Sequence, residues 1–231
     1  MSAFVFIHGG AHGAWCWQPL FGLLDAPALA LDLPGRGRKP ADLARVTPDD
    51  WADSVLADIE RCGLTSVILV AHSMGGLTAL RVAQRAPARI ARMVFIASPI
   101  PEAGKSIVDL MAELPQTGAR EEAGSLATGL TEAAARGLLF NGVPEALVQW
   151  ALPQLTPEAM GPFTAPADLR AAKSAIPRTY IRTQFDKGLP PHLQARAIAQ
   201  IEPAEVFELD SGHSAMLTHA PAIAAILNRC L

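Results

Sequence analysis

Short apolar runs alternate with amphipathic stretches along most of the chain, and the pattern changes at Gly, Pro and polar clusters. Ala3–His8 reads as a first strand, halted by Gly9-Gly10, with Ala14–Leu24 as a helix after it. Ala28–Leu33 reads as a second strand, stopped by Pro34-Gly35. Thr47 can cap a helix that starts at Pro48 and runs to about Cys62. Ser66–Ala71 (SVILVA) is continuously apolar, as a strand covered on both faces is. Met74–Arg85 is helical, with Pro87 just beyond it, and Arg92–Ala97 is a further strand. From about Pro99 to Ile176 the pieces are helical and rich in Ala, Leu, Glu and Gly, and no strand pattern occurs. The alternation resumes with a strand at Arg178–Thr183, a helix at His192–Gln200, a strand at Ala204–Leu209 and a helix at Pro221–Cys230.

Strands separated by helices favour a parallel sheet with right-handed crossovers and helices on both faces. The expected class is therefore α/β, with a mostly parallel sheet of about six strands. The helical middle is an insertion between two strands, over the carboxyl edge of the sheet where such folds bind ligands. No internal repeat and no low-complexity linker divides the chain, so residues 1–231 read as one domain.

Composition sharpens this picture. Hydrophobic residues make up 50% of the 231 and charged residues 18%, enough for a large core and too apolar for disorder. The formal net charge is -3 with both signs dispersed, so neither a nucleic acid nor an anionic membrane is an expected partner. Cys16, Cys62 and Cys230 are few, odd in number and far apart, which reads as free thiols in a reducing compartment, not as a disulfide or zinc framework. No charged leader with a cleavage site and no apolar run of about 18 residues is present, and a cytoplasmic location is the expectation. Nothing in the sequence speaks to oligomeric state.

The segment VILVAHSMGG places Ser73 between an apolar strand and a helix start. A serine there sits on a tight, strained turn with its hydroxyl above the sheet. Its neighbours two residues away must be small; Gly75 meets that need, and Ala71 stands where glycine is usual. The rival reading of Ser73 is an ordinary helix N-cap. His72 reads as a packing residue, since it points away on so sharp a turn. The first strand runs into HGGAHGAWCW, whose small residues let main-chain N–H groups approach a carbonyl. Gly10, or its neighbour Ala11, and Met74 are the expected oxyanion donors. No phosphate-loop pattern occurs there, and His8 and His12 read as structural hydrogen-bonders, not metal ligands.

Near the end of the chain VFELDSGHSAML delivers His213 on a loop after a strand, which suits a general base. His219 reads as a cap or surface group and His192 as exposed. The orienting acid is expected between serine and histidine in chain order. Asp186, after RTYIRT, fits; Asp210 is the alternative, while Glu158 and Asp168 read as solvated residues of the insertion.

At this point the chain resembles the methylesterase/hydroxynitrile lyase branch of the α/β-hydrolases. The residues that carry the likeness are HGGAHGAWCW, DLPGRG, VAHSMGG, YIRTQFDKGLPP and SGHSAML, spread from residue 4 to about 217, with the insertion matching poorly. The resemblance implies an α/β-hydrolase fold with a small helical cap over roughly 99–175. It also implies hydrolysis of small carboxylic esters by Ser73, His213 and Asp186 without metal or organic cofactor. Lyases of this group carry a threonine after the first-strand histidine and a lysine after the catalytic histidine. Here those places hold Gly9 and Ser214, which points to an esterase. The alternatives are a lyase, an amidase or thioesterase, and a non-catalytic small-molecule binder. Leu126, Leu130, Leu138, Leu139, Phe140, Trp150, Leu152, Met160 and Phe163 are candidates for an apolar substrate pocket, with Ala11 beside the glycine loop. Trp15 and Trp17 read as core anchors.

Overall fold

Phe4 and Phe6 turn to one side of the first strand while Val5 and Ile7 turn to the other, and all four are fully buried. A strand apolar on both sides needs a cover on both sides, and the rest of the chain supplies it. The computed structural model describes residues 2–120 and 126–231. Six strands form one sheet: β1 (Ala3–Ile7), β2 (Ala28–Leu31), β3 (Val67–His72), β4 (Ile90–Ile96), β5 (Arg178–Thr183) and β6 (Glu205–Leu209). Their order is β2-β1-β3-β4-β5-β6, and every pairing is parallel.

One face is covered by α1 (Pro48–Arg61) and α2 (Gly75–Arg85), with Trp51, Val55 and Ile59 packed against Val5, Leu69 and Phe95. The other is covered by the turn Ala14–Leu20 and the last helix, Ala220–Asn228, whose Trp17, Ile223 and Leu227 meet Phe6, Ile68 and Val94. The α1 start expected at Thr47 is present as a capping box: Asp50 N–H donates to Thr47 Oγ1 (3.2 Å), and the Asp50 carboxylate accepts from Thr47 N–H (2.8 Å).

Several element boundaries differ from the sequence reading. Ala14–Leu20 is a 3₁₀ turn, shorter than the helix expected to Leu24, because Pro19 cannot donate to a helical ladder. The last helix, Ala220–Asn228, lies within two residues of the Pro221–Cys230 expected, and a short helix, Ala215–Thr218, precedes it. Strand β4 starts earlier than expected, at Ile90, where a register shift opposite Val67 and Ile68 absorbs the extra residue.

The strand order reverses between β1 and β3. The chain leaves β1 toward the β2 edge and returns to lay β3 on the other side. Loops after β1 and β3 therefore diverge and open a crevice at the carboxyl rim. The segment between β4 and β5 lies over this crevice and is built, among the described residues, from short helices such as Ile107–Ala112 and Glu145–Ala151. Among the described residues no helix is long and apolar enough to cross a membrane.

Candidate active site

Ser73 follows β3 directly and has φ +51°, the left-handed region that L-residues rarely enter. Its N–H donates to Ile96 O (2.9 Å), and its carbonyl accepts from Gly76 N–H (3.0 Å) as α2 begins. A Cβ at position 75 would lie 2.7 Å from His8 O and 2.8 Å from Ile7 O, which explains the glycine there. Ala71 is fully buried at the end of β3. The turn lifts the Ser73 side chain into the crevice.

β5 and β6 are neighbours, so the loops after them meet. Asp186 comes from the first and His213 from the second. His213 Nε2 lies 3.1 Å from Ser73 Oγ, and His213 Nδ1 lies 2.8 Å from Asp186 Oδ2. With Nδ1 protonated toward the carboxylate, the Nε2 lone pair faces the serine hydroxyl. Asp186 is buried and its oxygens are further engaged: Oδ1 accepts from Leu189 N–H (2.7 Å) and Oδ2 from Thr183 Oγ1–H (2.9 Å). Gln194 braces Thr183 by donating to its carbonyl (3.0 Å) and accepting its N–H (3.0 Å). Asp210, the other candidate acid, is exposed.

The loop after β1 supplies the next part. Among the described residues neither Gly10 N–H nor Met74 N–H is spent on a protein acceptor, and both residues line the cavity beside Ser73. Ala11 is different. Its N–H donates to Glu158 Oε2 (2.8 Å), so it is not available to a substrate oxygen. Glu158 itself corrects the expectation of a solvated residue: it is 1% exposed and forms an ion pair with Arg36, which is 2% exposed. Arg36 also donates through Nε to His12 O (3.2 Å), and Ala159 N–H donates to Glu158 Oε1 (2.9 Å). Burial pushes the Glu158 carboxyl up, and Arg36 opposes that. The glycine loop is thus tied to the inserted segment through a buried charge pair. The partners lie so far apart in the chain that no local pattern announces them. Asp168 is half-buried and paired with Arg170 (2.6 Å).

Three more histidines surround this loop. His8 Nδ1–H donates to Gly9 O (2.8 Å) and its Nε2 accepts from Leu33 N–H (3.2 Å). His12 Nδ1–H donates to Gly10 O (2.8 Å), and its Nε2 lies 3.2 Å from Ser214 Oγ. His72 Nε2–H donates to His213 O (3.0 Å), which makes it a support for the His213 loop. Burial holds all three neutral, lowering His8 to about 4, His12 to about 3 and His72 well below the usual imidazole range. His192 is exposed, and His219 Nδ1 lies 2.8 Å from Thr218 Oγ1. Among the described residues no group of three or more His, Cys, Asp or Glu is placed to hold a metal ion.

A cavity of about 590 Å³ opens over Ser73 and His213. Of the pocket candidates, Leu126, Leu138, Leu139, Met160 and Phe163 lie on its wall. Phe140 does not, because it is buried in the core beside the last helices. Trp150 packs edge-on against Trp15 (5.4 Å) and is 37% exposed, away from the wall, and Ala11 is enclosed behind Gly10. Leu130 and Leu152 pack against the core. Trp17 is fully buried, and Trp15 stacks on His12 (5.3 Å). Ile107, Met111, Gln116 and Arg120 also line the cavity, and the helical periodicity of the insertion gave no sign of which face they would turn inward.

A parallel sheet whose rim carries a strained serine, an imidazole and a buried carboxylate in this strand order is the architecture of an α/β-hydrolase. The chain belongs to the alpha/beta hydrolase family, whose model matches residues 4–226. It is 29% identical to Methylesterase 17 of Arabidopsis thaliana over 91% of this chain and 84% of that one. It is 26% identical to Putative methylesterase 14, chloroplastic, of the same plant, over 90% of this chain and 66% of that one. Among solved structures, a methylesterase from Arabidopsis superposes with TM-score 0.80 at 26% identity, covering 99% of this chain and 98% of that one. An extracellular alpha/beta-hydrolase from a Paenibacillus species superposes with TM-score 0.85 at 24% identity, covering 100% and 99%.

Proposed function

We propose that the protein hydrolyses small carboxylic esters through an acyl-enzyme on Ser73. The observation that carries this reading is the continuous row from Ser73 Oγ through His213 to Asp186. His213 Nε2 takes the Ser73 proton as Oγ attacks the ester carbonyl, and Asp186 stabilises the imidazolium so formed. Gly10 and Met74 N–H groups receive the oxyanion. The imidazolium gives its proton to the departing alcohol, and the acyl group stays on Oγ. A water molecule then loses a proton to His213, attacks the acyl carbon and releases the acid, restoring Ser73. These steps call for no metal or organic cofactor. Residues 1–231 act as one domain, with 99–175 as its cap. The names of the methylesterase relatives support methyl esters as substrates.

A lyase reading of the same site finds less support. A Cβ at position 9 would lie 2.7 Å from Ser73 Cβ, and position 214 offers a hydroxyl directed to His12 where a lyase has a cation. The test is labelling by a fluorophosphonate, with turnover of a methyl-ester panel and of mandelonitrile. Wild type is expected to be labelled on Ser73 and to hydrolyse esters. Ser73→Ala is expected to lose the label and at least about 1,000-fold in kcat/KM. An unlabelled serine, full activity in Ser73→Ala, or cyanide release from mandelonitrile in place of ester hydrolysis overturns the reading.

A further inference from the structure

The cavity wall is apolar almost throughout, and Arg120 is the one cation among the described residues that line it. Its Nη2 donates to Lys187 O (2.9 Å) and Gly188 O (2.6 Å), main-chain carbonyls of the loop that carries Asp186. A Cβ at Gly188 would lie 3.1 Å from His213 Cγ, so the guanidinium is held one peptide unit from the imidazole. Asp186 is near but not bonded to it, since its oxygens accept from Leu189, Thr183, Gln194 and His213. Among the described residues no carboxylate pairs with Arg120, and its Nε and Nη1 have no hydrogen-bond partner.

We infer that Arg120 is an anion subsite of the substrate pocket, and that the preferred ester carries a carboxylate a few atoms from its scissile carbonyl. The inference rests on the esterase reading and narrows it. Holding two carbonyls requires only one donor nitrogen, and a neutral side chain could do that. A half-buried guanidinium on a wall shared with Ile107, Met111 and Leu138 is partly desolvated, and among the described residues no carboxylate matches its charge. Burial accordingly pulls Arg120 below the usual guanidinium range, and the nearby Asp186 charge opposes that. A carboxylate arriving with the substrate supplies the missing charge and accepts from the open Nε and Nη1 edges. The rest of the pocket suits the apolar chain between that carboxylate and the ester.

The carboxylate could belong to the acid part of the ester or to the alcohol part, and two pairs of isosteric probes separate these. Monomethyl adipate is compared with methyl hexanoate, and 4-acetoxybutanoate with butyl acetate. Wild type is expected to favour the anionic member of at least one pair by about tenfold in kcat/KM, with the preference shrinking as salt is raised. In Arg120→Met the anionic-to-neutral ratio for that pair is expected to fall about tenfold, and Arg120→Lys, which keeps the charge without the fork, to fall between. No preference in wild type for either pair overturns the subsite. So does an equal change of both rates in Arg120→Met, which would make Arg120 only a brace for the Asp186 loop. Calorimetry on Ser73→Ala with monomethyl adipate and methyl hexanoate reads the subsite without turnover. Equal affinities there count against Arg120, whereas tighter adipate binding with no hydrolysis of any probe by wild type counts against the esterase reading instead.

Discussion

The Nδ1 proton of His213 is held by a carboxylate that is buried and already receives three other hydrogen bonds, from Thr183, Leu189 and Gln194. Those bonds fix the carboxylate, and the carboxylate fixes the tautomer. Asp186→Asn keeps the shape and removes the charge. Its amide would either face Nδ1 with a competing donor or turn the imidazole so that Nε2 carries the proton and cannot accept from Ser73. The expected outcome is a fall in kcat of about 1,000- to 10,000-fold at neutral pH, with KM little changed and the protein still folded by circular dichroism. Retention of most of the rate would remove Asp186 from the mechanism. Ser73, His213 and Asp186 were legible in the sequence because each stands in a local pattern: a strand running into a tight turn and helix, or a strand end followed by a loop. Thr183 and Gln194 were not, because their role exists only once the loop after β5 has folded back on itself.

At the scale of elements, the buried pair of Glu158 and Arg36 joins two pieces of chain that the sequence presents as unrelated: the loop after β2 and the middle of the insertion. Through Ala11 N–H the same carboxylate holds the glycine loop, and Thr156 N–H adds a second tie to Ala11 O (3.1 Å). Glu158→Ala leaves Arg36 charged in the interior without a partner. A loss of about 3–5 kcal/mol in unfolding free energy is expected. Urea titration reads it, and a loss below about 1 kcal/mol would mean that water reaches Arg36 and replaces the carboxylate. The strands and their order of appearance were readable because parallel strands buried on both faces are continuous apolar runs. The insertion was readable as helical but not in its facing. Phe140 and Trp150 looked like pocket walls by composition, yet the first is core and the second packs on Trp15, because many short helices joined by turns leave no single amphipathic stripe.

The whole molecule carries three buried neutral imidazoles close to one another, His8, His12 and His72. Each is lowered in the folded state, so below the ordinary imidazole value of about 6.5 the unfolded chain takes up protons that the folded one refuses. Their stabilisation is complete above that value and is lost as pH falls toward the folded values, about 4 for His8 and about 3 for His12. Each contributes a slope of up to about 1.4 kcal/mol per pH unit in that window. Urea midpoints measured at about pH 7, 6 and 5, above the ordinary carboxylate range, should therefore decline steadily. A flat profile would show these rings already protonated or open to solvent when folded.

The tie at Glu158 also limits how this scaffold can change. Strand-end loops carry Ser73, His213 and Asp186 and the insertion carries most of the cavity wall, so the two look separable, and a graft of a foreign insertion is the obvious way to retarget such a hydrolase. Here removal of the insertion would also take away the carboxylate that pairs with Arg36 and accepts from Ala11 N–H. A transplanted insertion therefore has to bring its own carboxylate to the same spot, or be paired with a neutral replacement at position 36.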